Sequence, residues 1–180
     1  MKIGIIADTH IPDRISSFDQ NIIDNLREDD IDLLIHAGDI CTKKVLDQLK
    51  QIAPVCAVRG NRDWLILNNL PNKINIKKNN ISIGITHGHG NILFYFWDKL
   101  LTITIGYRFE RFYDLLINMF PDVDVIIFGH THRPMCEWIN GKLFINPGSV
   151  TINNIDSNSR TYALMEIDQN SKIKAEIKST

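Results

Sequence analysis

Six histidines occur in this 180-residue chain, and five of them fall in three short clusters: Asp8-Thr9-His10, His87-Gly88-His89-Gly90 and His130-Thr131-His132. Two further pairs, Gly38-Asp39 and Gly60-Asn61, complete a set of five. Each begins where an apolar run stops. Taken singly, an aspartate after a strand is a cap or turn residue, a glycine permits a sharp exit, and a histidine is a hydrogen-bonded structural group. Five unrelated turns would not be expected to gather Asp8, His10, Asp39, Asn61, His87, His130 and His132. Together these side chains form a mixed oxygen and nitrogen donor set without soft sulfur, which divalent transition metals prefer. Seven donors are too many for one tetrahedral ion and suit two ions sharing a carboxylate. Two ions roughly 3.5–4 Å apart clamp the attacking and leaving oxygens of an in-line displacement at phosphorus, and they lower the pKa of a bound water from 15.7 towards about 7. Two divalent ions outweigh two carboxylates and a hydroxide in charge, so an anion such as a phosphate ester would complete the site.

The elements that must position these residues are legible as hydrophobic patterns. "KIGIIA" (2–7), "DLLIHAG" (32–38) and "APVCAVRG" (53–60) are buried-strand candidates. Between them, Ile22, Ile23 and Leu26 mark one helix, with Ser16 and Ser17 as its expected caps, and Val45, Leu46 and Leu49 mark another. Strand and helix in alternation imply βαβ units and a mostly parallel sheet, whose strand C-termini are where such sheets place ligand sites. The middle alternates apolar and polar residues around Lys78-Asn79-Asn80, as a hairpin does, and "DVDVIIFGHTH" returns to a buried strand. Asn140-Gly141 is a tight hairpin turn, and "TYALMEI" and "KIKAEIK" are closing strands. Residues 94–120 carry Phe109, Phe112, Tyr113, Leu116 and Phe120 at helical spacing, which predicts two helices broken near Gly106. These helices are expected to pack on the core, and because apolar residues cover more than one side of the segment, a second buried surface, in a lid over the site or in a homo-oligomer, is the alternative.

Composition narrows the function class. Hydrophobic residues make up 44% and charged residues 23%, so the chain is expected to fold as one domain over 1–180. A net charge of −1 provides no field for a nucleic-acid polymer or an anionic membrane, so phosphate chemistry must be local. Ile92 to Gly106 is apolar but contains Asp98 and Lys99, short of the roughly 18 uninterrupted apolar residues that span a bilayer. Cys41, Cys56 and Cys136 form no disulfide or zinc-thiolate pattern, and "MKIGIIADTH" lacks the features of a signal peptide, so a cytoplasmic location is expected.

The ordered set "DTH", "GD", "GNRD", "THGHG" and "GHTH", with "INPGS" following, resembles the calcineurin-like metallophosphoesterases, and within them the small single-domain phosphodiesterases. The resemblance spans Lys2 to about Ser149. It implies an α/β fold, a four-layer αββα sandwich of two mixed sheets flanked by helices. It implies two divalent ions, Mn²⁺ by preference and Ni²⁺, Zn²⁺, Fe²⁺ or Co²⁺ as alternatives. Asp8, His10 and His132 would hold one ion, Asn61, His87 and His130 the other, and Asp39 would bridge. The implied reaction is hydrolysis of a small phosphate ester by in-line attack of metal-bound hydroxide, on a diester or on a monoester. A non-catalytic scaffold is the remaining alternative, because a retromer subunit shares this fold. Many relatives carry a histidine where this chain has Arg62. Arginine does not give up its proton, so it cannot be a general acid, but it can stabilise charge on a phosphoryl oxygen. His89 has two readings, as a group facing the phosphate or as a structural loop residue. Arg14, Arg59 and Arg133 border the clusters.

Overall fold

The computed structural model describes residues 1–151 and 159–179. Ten strands and four helices are assigned there: β1 (Lys2–Ile6), α1 (Gln20–Glu28), β2 (Leu33–His36), α2 (Lys43–Leu49), β3 (Val55–Ala57), β4 (Lys73–Lys78), β5 (Ile81–Thr86), α3 (Ile92–Ile105), α4 (Glu110–Met119), β6 (Val125–Ile127), β7 (Met135–Ile139), β8 (Lys142–Asn146), β9 (Thr161–Ile167) and β10 (Ile173–Ser179). They form two five-stranded sheets, ordered β10-β9-β1-β2-β3 and β4-β5-β6-β8-β7. Both are mixed. In the first, β1, β2 and β3 run parallel and β9 and β10 are added antiparallel; in the second, β5, β6 and β8 run parallel between antiparallel edges.

Strand alternation sends one set of side chains into the space between the sheets and the other outward. Ile3, Ile5 and Ile35 meet Ile83, Ile85, Ile127 and Ile145 in the central layer, all fully buried. On the outer face of the first sheet, Ile6, Leu34 and Leu164 are covered by Ile22 and Leu26 of α1 and by Val45, Leu46 and Leu49 of α2. On the outer face of the second, Phe112 and Leu116 of α4, followed by Phe120, cover Ile126, Phe128 and Phe144. Burying each such side chain contributes about 1.5–3 kcal/mol. The layers are therefore helix, sheet, sheet, helix, the αββα sandwich implied by the resemblance.

Local chemistry explains the boundaries. Helix α1 starts later than Ser16 and Ser17 suggested, because Asp19 is its cap: the carboxylate accepts a hydrogen bond from the Asn21 backbone N–H (3.0 Å). Asn79 and Asn80 both take positive φ (45° and 64°), as do Asn140 and Gly141 (50° and 79°), so both hairpin turns form where expected. Gly106 (φ 85°) ends α3. At Gly84 of β5 a Cβ would lie 2.6 Å from the Phe120 ring, so glycine lets the ring lie directly on the strand.

Helices α3 and α4 divide the roles expected of 94–120. Helix α4 faces the core. Helix α3 is fastened at one side, where Arg111 Nε donates to the buried Asp98 carboxylate (2.7 Å) and Phe94 meets the Phe112 ring edge-on at 5.9 Å. Its other side presents Leu93, Phe96, Trp97, Leu100 and Ile103 to solvent. Among the described residues, no helix is long and apolar enough to cross a membrane.

Candidate metal centre

The loops leaving β1, β2, β3, β5 and β6 bring all seven expected donor residues to one end of the sandwich. Backbone bonds tie their tips together: Asp8 N–H donates to Gly38 O (3.0 Å), His10 N–H to Asp39 O (3.0 Å) and Gly129 N–H to His87 O (3.2 Å). The close approach requires glycines. A Cβ on Gly60 would lie 2.2 Å from Asp39 N and Oδ1, and one on Gly129 would lie 2.9 Å from the Ala7 Cβ. Asp8, His10, Asp39, His130 and His132 all have positive φ (54°, 49°, 56°, 72° and 53°). Left-handed backbone in non-glycine residues costs of order 1–3 kcal/mol each and persists only where the surroundings enforce it, typically at functional sites.

The donor atoms converge as two overlapping groups. Asp8, His10 and His132 each bring one donor within 4.8 Å of the others, and so do Asp8, Asp39 and His87. His10 Nε2 and His132 Nε2 face each other at 3.2 Å, with Asp8 Oδ1 3.4 Å from His132 Nε2 and 3.8 Å from His10 Nε2. On the other side, the Asn61 amide oxygen lies 3.1 Å from both His87 Nε2 and His130 Nδ1. Asp39 stands between the groups. Its Oδ1 lies 3.4 Å from His87 Nε2 and accepts the Arg62 backbone N–H (2.8 Å), while Oδ2 lies 3.8 Å from His10 Nε2.

Metal ligands must be anionic carboxylates and neutral imidazoles, and Asp8, Asp39 and His130 are held in those states. Burial opposes ionisation of Asp8, but its contacts with His132 and His87 hold the carboxyl below its ordinary value; burial likewise opposes the Asp39 anion, and His87 and the Arg62 N–H outweigh it. Burial lowers His130 to about 3, keeping it neutral. His87 goes the other way: burial resists its charging, yet Asp39 beside it raises it to about 9. Two buried carboxylates demand a cation, and a proton on His87 meets part of that demand. His87 Nδ1 is 2.7 Å from Ala37 O, so it donates there and the Nε2 position is directed at the centre. Asp8 Oδ1 is buried with no hydrogen-bond partner among the described residues, which is costly for a carboxylate unless a cation meets it. On these grounds the donor set fits divalent ions.

The chain also matches known proteins. The sequence model of the calcineurin-like phosphoesterase superfamily domain fits residues 1–170. The chain belongs to this superfamily. Among calcineurin-like phosphoesterases, a probable metallophosphoesterase of Methanocaldococcus jannaschii is 38% identical over 152 residues, covering 84% of this chain and 69% of the relative. One from Methanothermobacter thermautotrophicus is 31% identical over 177 residues, covering 98% and 91%. A Zn²⁺ complex of Vps29 from Entamoeba histolytica superposes with TM-score 0.74 at 28% identity, covering 99% of both chains. An archaeal phosphodiesterase has the same fold, with TM-score 0.61 at 21% identity and coverage of 98% and 99%.

Two clefts open beside the donor cluster. The first, of about 510 Å³, is lined by Arg59, Asn61, Arg62, Trp64, His89, Tyr95 and Phe96 among others. The second, of about 350 Å³, includes Tyr95, Lys99, Tyr107, His130 and Arg133. Arg62 thus reaches the mouth, its guanidinium 3.5 Å from the Asp13 carboxylate. His89 is in the wall rather than in the cluster, with burial and neighbouring His87 lowering it to about 4. Arg59 lines the first cleft and Arg133 the second.

Asp63, Asn146 and Ser149, given no role from the sequence, support the site together with His36. Asp63 is fully buried and its carboxylate accepts three backbone N–H groups, from Ile40 (2.9 Å), Cys41 (2.7 Å) and Gly60 (2.8 Å), joining the Asp39 and Asn61 loops. Its place in "GNRD" was the available signal. His36 accepts Gly38 N–H on Nδ1 (3.2 Å) and lies 3.3 Å from Thr9 Oγ1, so it ties the Asp8 loop to the Asp39 loop. Within "INPGS", the Asn146 amide donates to Gly129 O (2.9 Å) and Ser149 Oγ donates to Asp8 O (2.8 Å).

Proposed function

We propose that this chain is a dinuclear metal-dependent phosphodiesterase acting on a small phosphate ester, with Asp8, His10 and His132 holding one ion, Asn61, His87 and His130 the other, and Asp39 bridging them. The observation that carries the reading is the convergence of two carboxylates, an amide and four imidazoles on one volume where Asp8 Oδ1 is buried without a hydrogen-bond partner among the described residues. Mn²⁺ is our first choice, and Ni²⁺, Zn²⁺, Fe²⁺ and Co²⁺ suit the same oxygen and imidazole donors. When bound, such ions acidify a water and offset the charge of phosphoryl oxygens. The chain's own residues do the rest. Ala37 O and the Arg62 N–H fix the orientations of His87 and Asp39. At the mouth, the Arg62 guanidinium is suited to stabilising charge that develops on a phosphoryl oxygen, and His89 to facing the phosphate from the cleft wall.

A diester is favoured over a monoester because the clefts of about 510 and 350 Å³ share Tyr95 and flank the cluster, which suits two ester arms. A monoester needs one. We place the protein in the cytoplasm, where its three free thiols would stay reduced. The solvent-facing apolar side of α3 is consistent with self-association, since a patch without charge can pair with its own copy across a two-fold axis. The test is metal analysis together with turnover of bis(p-nitrophenyl) phosphate and p-nitrophenyl phosphate in manganese, on wild type and Asp39→Asn. The expectation is two ions and diester turnover in wild type, with both reduced in the variant. Equal metal content and equal turnover would refute the bridging role, and faster monoester turnover would refute the diester preference.

A further inference from the structure

We infer that the larger cleft is a subsite for the planar ring of a nucleoside arm, recognised through its faces rather than its edges. The inference rests on the phosphoesterase reading for what lies at phosphorus, and on the cleft alone for the rest. Its volume of about 510 Å³ lies within the range of about 300–1,000 Å³ typical of small-molecule pockets. It opens directly from the donor cluster, because Asn61 and Gly60 line it. A group esterified to a phosphate held at the cluster would therefore extend into it.

The walls are unusually planar in their chemistry. Trp64, Tyr95 and Phe96 contribute aromatic rings, and His89 adds a flat imidazole. Arg59 adds a guanidinium that cannot swing freely: Nε and Nη2 both donate to the Asn72 side-chain oxygen (3.1 and 2.8 Å), and Nη1 donates to Asn68 O (3.1 Å). With one donor on each nitrogen already engaged, Arg59 offers mainly its flat cationic face. Guanidinium planes and aromatic rings both favour stacking on another π system. Trp64 and Phe96 border the cleft and are 64% and 61% exposed, so their rings are accessible from it. An aliphatic arm would gain little from a fixed cation, and a bare phosphate has no face to stack. Since every nucleobase has a π face, stacking of this kind tolerates any base.

The experiment is calorimetric titration of the manganese-loaded protein with AMP, UMP and ribose 5-phosphate, which share the phosphate and the sugar but differ in the ring. We expect both nucleotides to bind about tenfold tighter than ribose 5-phosphate, the scale of one stacked base, and to differ little from each other. Trp64→Ala and Phe96→Ala should each reduce that ratio. Leu65→Ala, a control at a 71% exposed neighbour that does not line the cleft, should leave the ratio intact. Equal affinity for all three ligands, or a ratio insensitive to both aromatic truncations, would overturn the subsite. Turnover of bis(p-nitrophenyl) phosphate by the same wild-type preparation judges the esterase reading separately. Its absence would sink that reading while the binding ratio still decides the subsite.

Discussion

Replacing Asp63 by alanine removes the acceptor of three buried backbone N–H groups at once. The carboxylate bonds Ile40 and Cys41 through Oδ1 and Gly60 through Oδ2, at 2.7–2.9 Å. A buried donor left unsatisfied costs about 1–3 kcal/mol. Some water entry into the gap would soften the sum, so the expected loss is about 3–6 kcal/mol, a large part of the 5–15 kcal/mol that holds a typical domain folded. Asp63→Asn is the finer probe. Its amide oxygen can keep Ile40 and Cys41, but its NH₂ then meets the Gly60 N–H donor to donor, for an expected loss of about 2–3 kcal/mol. Urea unfolding followed by circular dichroism measures both, with wild type most stable, asparagine intermediate and alanine least. Because the clamp joins the Asp39 loop to the Asn61 loop, Asp63→Asn should also weaken manganese binding by about 10–100-fold, the usual scale for residues that orient ligands. An alanine variant destabilised by less than about 1 kcal/mol, or an asparagine variant with wild-type manganese affinity, would refute the reasoning.

Other perturbations probe separate parts of the molecule. Arg62→Ala should lower diester turnover by about 10²-fold, the lower end for losing a group that stabilises transition-state charge, with little change in metal content; unchanged turnover would remove Arg62 from the mechanism. Gly84→Ala should cost about 1–3 kcal/mol, because its Cβ would press into the Phe120 ring at 2.6 Å. Thermal melts would check this, and Phe120→Leu in the same chain should recover part of the loss. Self-association through α3 predicts a mass above one chain by light scattering that rises with concentration and falls to one chain in Leu100→Glu. A wild-type monomer at every concentration would refute it.

Much of this site can be read from one dimension, because its ligand-type residues sit at the ends of apolar strands and keep a fixed order. "DTH", "GD", "GN", "THG" and "GHTH" announce both the donors and the strand termini that carry them, and Asn140-Gly141 announces its own hairpin. The alternation of "KINIKKNNISIGIT" predicts the β4-β5 pairing because the register keeps Ile83 and Ile85 on the inner face. Ser16 and Ser17 misled because several polar residues near a helix start satisfy the same cap rule, and Asp19 was the one with the N–H groups in reach.

What the sequence determined by itself was the donor chemistry, the strand and helix periods and the turn residues, since each depends on neighbours a few positions apart. Only the tertiary structure decided which donors meet. Asp8 and His130 are 122 positions apart, yet the Asp8 carboxylate accepts the His130 N–H at 3.0 Å. It also decided that Asp63 is a clamp rather than a surface acid, that α3 leaves one side open, and that Arg59, Trp64 and Phe96 face a common cleft. Such facts depend on how two sheets stack and how far each loop overshoots its strand, and no local pattern of residue types encodes those distances.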